Sequence, residues 1–145
     1  MTTVADRLFQ AERIHDGRDW HRDAALRVRG GRVVGIEPAG SGAHAGVEPM
    51  PGCIVPGLVD LQVNGGGGVM LNDAPTAETL ATIVAAHERF GTTGLMATLI
   101  TDRPEVTEAA IEAVASVELP GLLGLHLEGP HIAPARKGTH DPALI

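Results

Sequence analysis

The stretch CIVPGLVDLQVNGGGG (residues 53–68) decides the fold, because an apolar run suited to a buried strand ends there in a cluster of glycines. Two further strand-like runs follow, GTTGLMATLI (91–100) and GLLGLHLEGP (121–130). Helical periodicity lies between them, in TAETLATIVAAHERF (76–90) and DRPEVTEAAIEAVASVEL (102–119). Strands that alternate with helices at a spacing of about thirty residues are typical of a parallel sheet. We therefore predict an α/β fold with about three βα units.

Both predicted helices begin at recognisable signals. Thr76 precedes the first helix and suits an N-cap, and Asp102 has the same position before the second. Pro104 falls near the first turn of the second helix, where its missing N–H costs nothing. One face of the first helix is expected to be buried, since its members recur at three- and four-residue steps: Leu80, Ile83, Val84 and His87.

The residues before this region have a different sequence pattern. They read as short extended pieces, and Gly30-Gly31 between two alternating runs predicts a tight hairpin turn. AGSGAHAGVEPMPG (39–52) has no periodicity and predicts a loop or linker. We therefore predict two domains, a small β-rich module with its linker over residues 1–52 and an α/β domain over residues 53–145.

Composition excludes several classes of function. The 145 residues carry 11 basic and 18 acidic side chains and only 2% aromatic residues, which argues against nucleic acid and anionic membranes as partners. No apolar run approaches the ~20 residues that cross a bilayer. Cys53 is the only cysteine, so no intrachain disulfide can form, and a reducing cytoplasm is the expected location.

Glu128 is the strongest candidate for chemistry. It ends the third apolar strand, and Gly129-Pro130 follows it, which is the position expected of a metal ligand or a general acid/base in a parallel sheet. A simply solvated glutamate would look the same. His126 lies two residues earlier on the same face, where a buried histidine bonded to a carbonyl is the favoured interpretation.

A polar set lies near the end of the first strand. Strict alternation places Asp60, Gln62 and Asn64 on one face of that strand, with Leu61 and Val63 on the other. These polar groups either face a ligand, or Asp60 and Asn64 cap backbone N–H groups of the glycine turn.

The segment after Glu128 is the third candidate. It combines basic and hydroxyl groups with a glycine, which could bind an anionic or polyol substrate, although a solvated loop would look similar: Arg136, Lys137, Gly138, Thr139 and His140.

Three stretches together identify a family resemblance. PGLVDLQVNGGGG (56–68), GTTGLMATLIT (91–101) and above all HLEGPHIAPARKGTHDP (126–142) resemble the N-acetylglucosamine-6-phosphate deacetylases, a branch of the amidohydrolase superfamily. The resemblance runs from about residue 55 to the last residue and corresponds to the amino-terminal portion of the family. It implies the start of a (β/α)8 TIM-like barrel, incomplete here, preceded by a small β-sandwich-like module.

The resemblance also implies an activity and a set of site residues. The family hydrolyses the N-acetyl group of N-acetylglucosamine-6-phosphate, a small amino-sugar phosphate, with one divalent metal ion, commonly zinc or iron. Glu128 matches the metal-binding glutamate, and Thr139 and His140 match a segment that borders the sugar. Gln62 and Asn64 stand where many amidohydrolases carry two histidines, which favours a single metal and a substrate-binding role.

The remaining machinery of the family is expected beyond residue 145. In the family, two histidine ligands and the aspartate that serves as general base and acid come from later strands, so we expect this chain alone to be inactive. The resemblance also implies that the full-length protein is a homodimer. Two alternatives stay open. One is another metal-dependent amidohydrolase, of the dihydroorotase or dipeptidase kind, and the other is a short non-catalytic interaction module.

Overall fold

A computed structural model describes residues 6–40 and 46–145 of the chain. It divides the chain into two compact units, Met1–Pro56 and Gly57–Ile145. The sequence placed the boundary after Gly52. The difference arises because Cys53–Ile54 forms a short strand that pairs with Arg13–His15, so these residues belong to the first unit.

The first unit consists of short strands in two sheets. β5, β4, β1 and β6 form one sheet in that order, and β3, β2 and β7 form the other. Gly30 and Gly31, both with positive φ, make the predicted hairpin turn between β4 and β5. The strands are β1 Asp6–Gln10, β2 Arg13–His15, β3 Trp20–Arg22, β4 Ala24–Arg29, β5 Arg32–Pro38, β6 Val47–Pro49 and β7 Cys53–Ile54.

The predicted linker over residues 39–52 is only partly a loop. Val47–Pro49 is strand β6, which pairs in parallel with β1, and Met50 N donates to the carbonyl of Gln10 (2.7 Å). This pairing joins residues about forty positions apart, so a local pattern could not indicate it. Residues 41–45 of the predicted linker lie outside the described residues.

An ion-pair network ties β1 to β4. Arg29 and Arg27 both donate to the carboxylate of Asp6, over 2.8–3.0 Å, and Arg27 also donates to Glu37 (2.9 Å). Hydrogen bonds from Arg29 and then Arg27 hold the pKa of Asp6 well below its usual range.

The second unit is a mixed α/β unit with the predicted order of strands and helices. Its main sheet is parallel, in the order β12, β11, β8, with a helix in each connection. No closed barrel is formed within the part of the chain that the structure describes. The elements are β8 Leu58–Val63, β9 Gly65–Gly66, β10 Val69–Met70, α1 Ala77–Glu88, β11 Thr92–Ile100, α2 Pro104–Ala115, β12 Leu122–Glu128 and a 3-10 turn Pro134–Arg136. Neither described helix has the length and apolar character to traverse a bilayer.

The two helix starts differ in how well the sequence predicted them. Thr76 is the N-cap of α1, and its hydroxyl accepts from Thr79 N (3.2 Å), as predicted. Asp102 is not the N-cap of α2. Arg103 holds that position without a side-chain cap. The Asp102 carboxylate accepts from Asn72 Nδ2 (2.8 Å) on one oxygen and from the backbone N of Arg103 (2.8 Å) on the other.

The core of the second unit lies between the sheet and both helices. It includes the predicted face of α1, while His87 at the margin bonds the carbonyl of Gly65 (3.0 Å). The buried residues are Val63, Leu71, Leu80, Ile83, Val84, Leu95, Ala97, Leu99, Ala110 and Ala113.

The predicted alternation along β8 is wrong at one point. Leu95 pairs with Asp60 but Ala97 pairs with Val63, so β8 carries one extra residue there. Such a bulge interrupts the two-residue side-chain repeat. As a result Val63 is buried, whereas Leu61, which was expected to share its face, is 60% exposed.

Candidate functional site

The site lies where the parallel strands of the second unit end. Ile100 and Glu128, the last residues of β11 and β12, are register partners, and Ala97 of β11 pairs with Val63 at the end of β8. Parallel strands present their carboxyl ends at one edge of the sheet. This alignment brings Gln62 within hydrogen-bond distance of Glu128 although they are separated by 66 positions.

Glu128 is the centre of this group. Its side chain is 34% exposed, and Gln62 Nε2 donates to its Oε2 (3.1 Å). His140 Nε2 lies 3.4 Å from the other carboxylate oxygen, Oε1. A carboxylate offers about four acceptor positions, so these two neighbours do not use its full hydrogen-bonding capacity.

His140 is buried, with 4% exposure, despite its place in an irregular segment. Its backbone N donates to the carbonyl of Lys137 (3.0 Å), which forms a turn. The ammonium of Lys137 donates in return to the carbonyl of His140 (3.4 Å). The imidazole faces Thr101 on its Nδ1 side and Glu128 on its Nε2 side. The segment after β12 therefore folds back over the end of the sheet.

The structure brings together only some of the predicted residues. Gln62, Glu128 and His140 meet, whereas Thr139 is exposed and forms no hydrogen bond among the described residues. Asn64 contributes its backbone carbonyl, which accepts from Leu71 N (3.0 Å). Asp60 Oδ1 accepts from Gln62 N (3.1 Å). Neither Asp60 nor Asn64 caps the glycine turn with its side chain, so that alternative is wrong.

His126 is half-buried beside this group. Its Nδ1 lies 3.2 Å from the hydroxyl of Thr98, so its partner is a hydroxyl and not the carbonyl that we expected. The Thr98 hydroxyl also accepts from Val63 N (3.0 Å) and thereby links β8 to β11.

Sequence reasoning missed two supporting residues. Thr101 contacts both Glu128 and His140, and Asn72 binds both backbone groups of Ile100, accepting from its N and donating to its O, each over 3.2 Å. The available signal was position: Thr101 and Asn72 each directly follow an apolar run, and the strands of the sheet end together.

A cavity of about 480 Å³ adjoins the site between α2 and the ends of β11 and β12. Glu128 and Thr101 lie on its wall, but most of the lining is apolar, including Leu99, Leu127 and Leu144. Such a lining is poorly suited to a charged sugar, so we do not assign this cavity to a sugar substrate.

The described residues do not form a complete metal site. They contain no group of three or more His, Cys, Asp or Glu side chains that could hold a metal ion. Catalytic zinc sites usually have three protein ligands. The described side chains at the sheet edge therefore do not make such a site by themselves.

Comparison with known proteins gives a consistent result. An N-acetylgalactosamine-6-phosphate deacetylase of Shewanella sp. (strain ANA-3) is 43% identical over 128 residues, which cover 83% of this chain and 32% of the relative. An N-acetylglucosamine-6-phosphate deacetylase of Vibrio furnissii is 33% identical over 139 residues, covering 91% and 35%. The chain resembles a portion of these deacetylases. No family model matches the chain.

Solved structures of deacetylases extend the similarity to the fold. The N-acetylglucosamine-6-phosphate deacetylase of Pasteurella multocida superposes with a TM-score of 0.88 at 28% identity, covering 97% of this chain and 38% of the deacetylase. A D267A mutant of the Mycobacterium smegmatis deacetylase, in complex with N-acetyl-D-glucosamine-6-phosphate, gives 0.81 at 30% identity, covering 97% and 37%. The chain thus spans about a third of the length of the deacetylases it matches.

Proposed function

We propose that the complete gene product containing this chain hydrolyses the N-acetyl group of N-acetylglucosamine-6-phosphate, releasing glucosamine-6-phosphate and acetate. The observation that carries the proposal is the meeting of Glu128, His140 and Gln62 at the carboxyl edge of the sheet. The named activities of the similar proteins support the reaction class.

The substrate epimer is a specific second candidate. The relative with 43% identity is named for N-acetylgalactosamine-6-phosphate, whereas the Vibrio relative with 33% identity is named for N-acetylglucosamine-6-phosphate. The two sugars differ in configuration at one hydroxyl, so either could meet the same hydrolytic groups.

We propose that Glu128 contributes one ligand to a single divalent metal ion, zinc or iron, and that the other ligands and the general base lie outside this chain. His140 and Gln62 would border the substrate, and so would Asn64 and Thr139. On this proposal the 145-residue chain alone is inactive. The same proposal includes a barrel that begins with β8, β11 and β12, a homodimeric state and a cytoplasmic location.

The experiment compares the wild-type gene product with Glu128→Gln. Acetate release is measured from both epimeric phosphosugars, together with bound metal by elemental analysis. Loss of an outer-shell partner of a metal typically costs about 10–100-fold, so loss of a direct ligand should cost more. Glu118→Gln, at an exposed position after α2, is the matched control and should match wild type.

The outcomes separate the proposals. Hydrolysis of one epimer by the wild-type protein would establish the reaction and identify the substrate. Activity on dihydroorotate instead would assign the protein to another amidohydrolase class. Full metal content and turnover in Glu128→Gln would leave Glu128 as a surface acid.

A further inference from the structure

Thr101 lies directly after β11 and is 6% exposed. Its hydroxyl is 2.9 Å from His140 Nδ1 and 3.3 Å from the carbonyl of Glu128. Its backbone N donates to the same Nδ1 (3.3 Å). A single residue therefore contacts the side chain of His140 and the backbone of Glu128.

The backbone N–H of Thr101 determines which form of the imidazole fits. A backbone N–H can only donate, so the Nδ1 that it approaches must carry a lone pair. The Thr101 hydroxyl has one proton and two acceptors within reach, Nδ1 at 2.9 Å and the Glu128 carbonyl at 3.3 Å. With a lone pair on Nδ1 it donates to this nearer atom, because two facing lone pairs at 2.9 Å would repel. In a neutral imidazole the proton must therefore be on Nε2.

The opposite side of the ring agrees with this assignment. Nε2 faces Oε1 of Glu128 at 3.4 Å, and an ionised carboxylate can only accept a hydrogen bond. A proton on Nε2 satisfies both sides of the ring at once. With the proton on Nδ1, Thr101 N–H would face another N–H, and Glu128 would face a lone pair.

The close approach of Thr101 depends on Gly129. A Cβ at residue 129 would collide with the Thr101 hydroxyl, and Gly129 has φ +99°, which favours glycine. The turn after Glu128 is therefore shaped around this threonine.

We propose that Thr101 is a positioning residue that holds His140 in the tautomer protonated on Nε2, with that N–H directed toward Glu128 and the ligand bound there. The proposal rests on the proposed function for its effect on turnover, but the tautomer itself can be measured without substrate. His140 thereby offers an N–H donor beside the carboxylate.

The test uses Thr101→Val, which removes the hydroxyl with little change in shape, and Thr101→Ser, which keeps it. In the complete gene product labelled with 15N-histidine, the His140 signals are assigned by their loss in His140→Gln. Their 15N shifts at about pH 8, where histidine is ordinarily neutral, report the tautomer. Turnover and KM are measured on the phosphosugar that the wild type hydrolyses.

We expect wild-type His140 to be protonated on Nε2. Thr101→Val should lose up to about 100-fold in kcat with KM nearly unchanged, because misplacing a group beside the reacting atoms has a cost of that order. Thr101→Ser should recover most of this loss. Because Thr101→Val keeps the backbone N–H that meets Nδ1, its His140 should stay protonated on Nε2, so the fall in kcat reports the lost hydroxyl and not a change of tautomer. Thr82→Val, which removes an exposed hydroxyl bonded to a helix carbonyl on α1, is the matched control and should match wild type.

Two results would overturn the proposal: a wild-type His140 protonated on Nδ1, or a Thr101→Val protein with wild-type turnover. If Thr101→Val fails to fold, the tautomer of His140 in the wild-type protein still tests the proposal. If no phosphosugar is hydrolysed by the wild type, the proposed function fails, and the 15N shifts still decide the role of Thr101.

Discussion

Replacing Gln62 by glutamate tests the central contact of the site. The amide Nε2 of Gln62 lies 3.1 Å from Oε2 of Glu128, so Gln62→Glu replaces an attractive hydrogen bond with two facing carboxylates. At 3.1 Å the repulsion between unit charges is about 1.3 kcal/mol with the dielectric constant of water and about 5 kcal/mol with an effective value near 20. Because the Gln62 side chain is exposed and Glu128 is 34% exposed, we expect about 1–2 kcal/mol of destabilisation.

The loss should depend on pH in a definite direction. Repulsion raises the pKa of one carboxyl of the pair above the value of about 4.3 that glutamate has in the unfolded chain. The folded protein then binds more protons than the unfolded chain, so the stability of Gln62→Glu falls as pH rises through that interval. The full penalty is present near pH 7 and is absent near pH 4, where a neutral acid can donate to Glu128 as the amide does.

The assay is urea-induced unfolding of the complete gene product at pH 7 and near pH 4, with a chelator present so that no cation bridges the two acids. Gln10→Glu adds the same charge at an exposed position on β1 and serves as the matched control. High salt should reduce the penalty of Gln62→Glu. A Gln62→Glu protein that matches Gln10→Glu at both pH values would refute the contact between the ends of β8 and β12.

Two further predictions concern stability. Thr98→Val should cost about 1–3 kcal/mol in unfolding free energy, because the buried N–H of Val63 loses its acceptor. Thr98→Ser should recover most of this loss. An unfolding midpoint equal to that of the wild type in Thr98→Val would contradict the role of the hydroxyl. Asp6→Asn should lower the free energy of unfolding at neutral pH. Arg29 and Arg27 hold the pKa of Asp6 low, so in the wild type the stabilisation from this carboxylate disappears as it is protonated below about pH 4. Asp6→Asn should therefore lose less stability than the wild type on acidification. Unfolding midpoints from pH 7 down to pH 2 measure this, and parallel curves for both proteins would contradict it.

Local signals were sufficient for most elements of the second unit. The periodicity of α1, the Thr76 cap and the strand-like runs of β11 and β12 each depend on neighbours within a few residues, and each appears as predicted. The run at 53–64 was expected to be one buried strand, but it is divided between β7 and a largely exposed β8. Asp102 shows where local reasoning fails. Its side chain accepts from the backbone N of Arg103 and from the distant Asn72, and α2 begins at Pro104 without a side-chain cap.

Pairing between distant residues accounts for the other errors. β6 has no local strand pattern of its own and forms because β1 offers an edge for it. The bulge in β8 likewise arises from register against β11, which no alternation within β8 could reveal.

The sequence by itself identified Glu128 as a strand-terminal acid, proposed Gln62 and His140 as its companions, and carried the resemblance to the deacetylases. Their roles in binding stay predictions. Only the tertiary structure decided that Gln62 and His140 touch Glu128, that Asn64 and Thr139 do not, and that Thr101 supports the group. The reason is physical: contacts across 66 and 39 positions depend on strand register and on the path of the segment after β12, and neither is encoded by nearest neighbours in the chain.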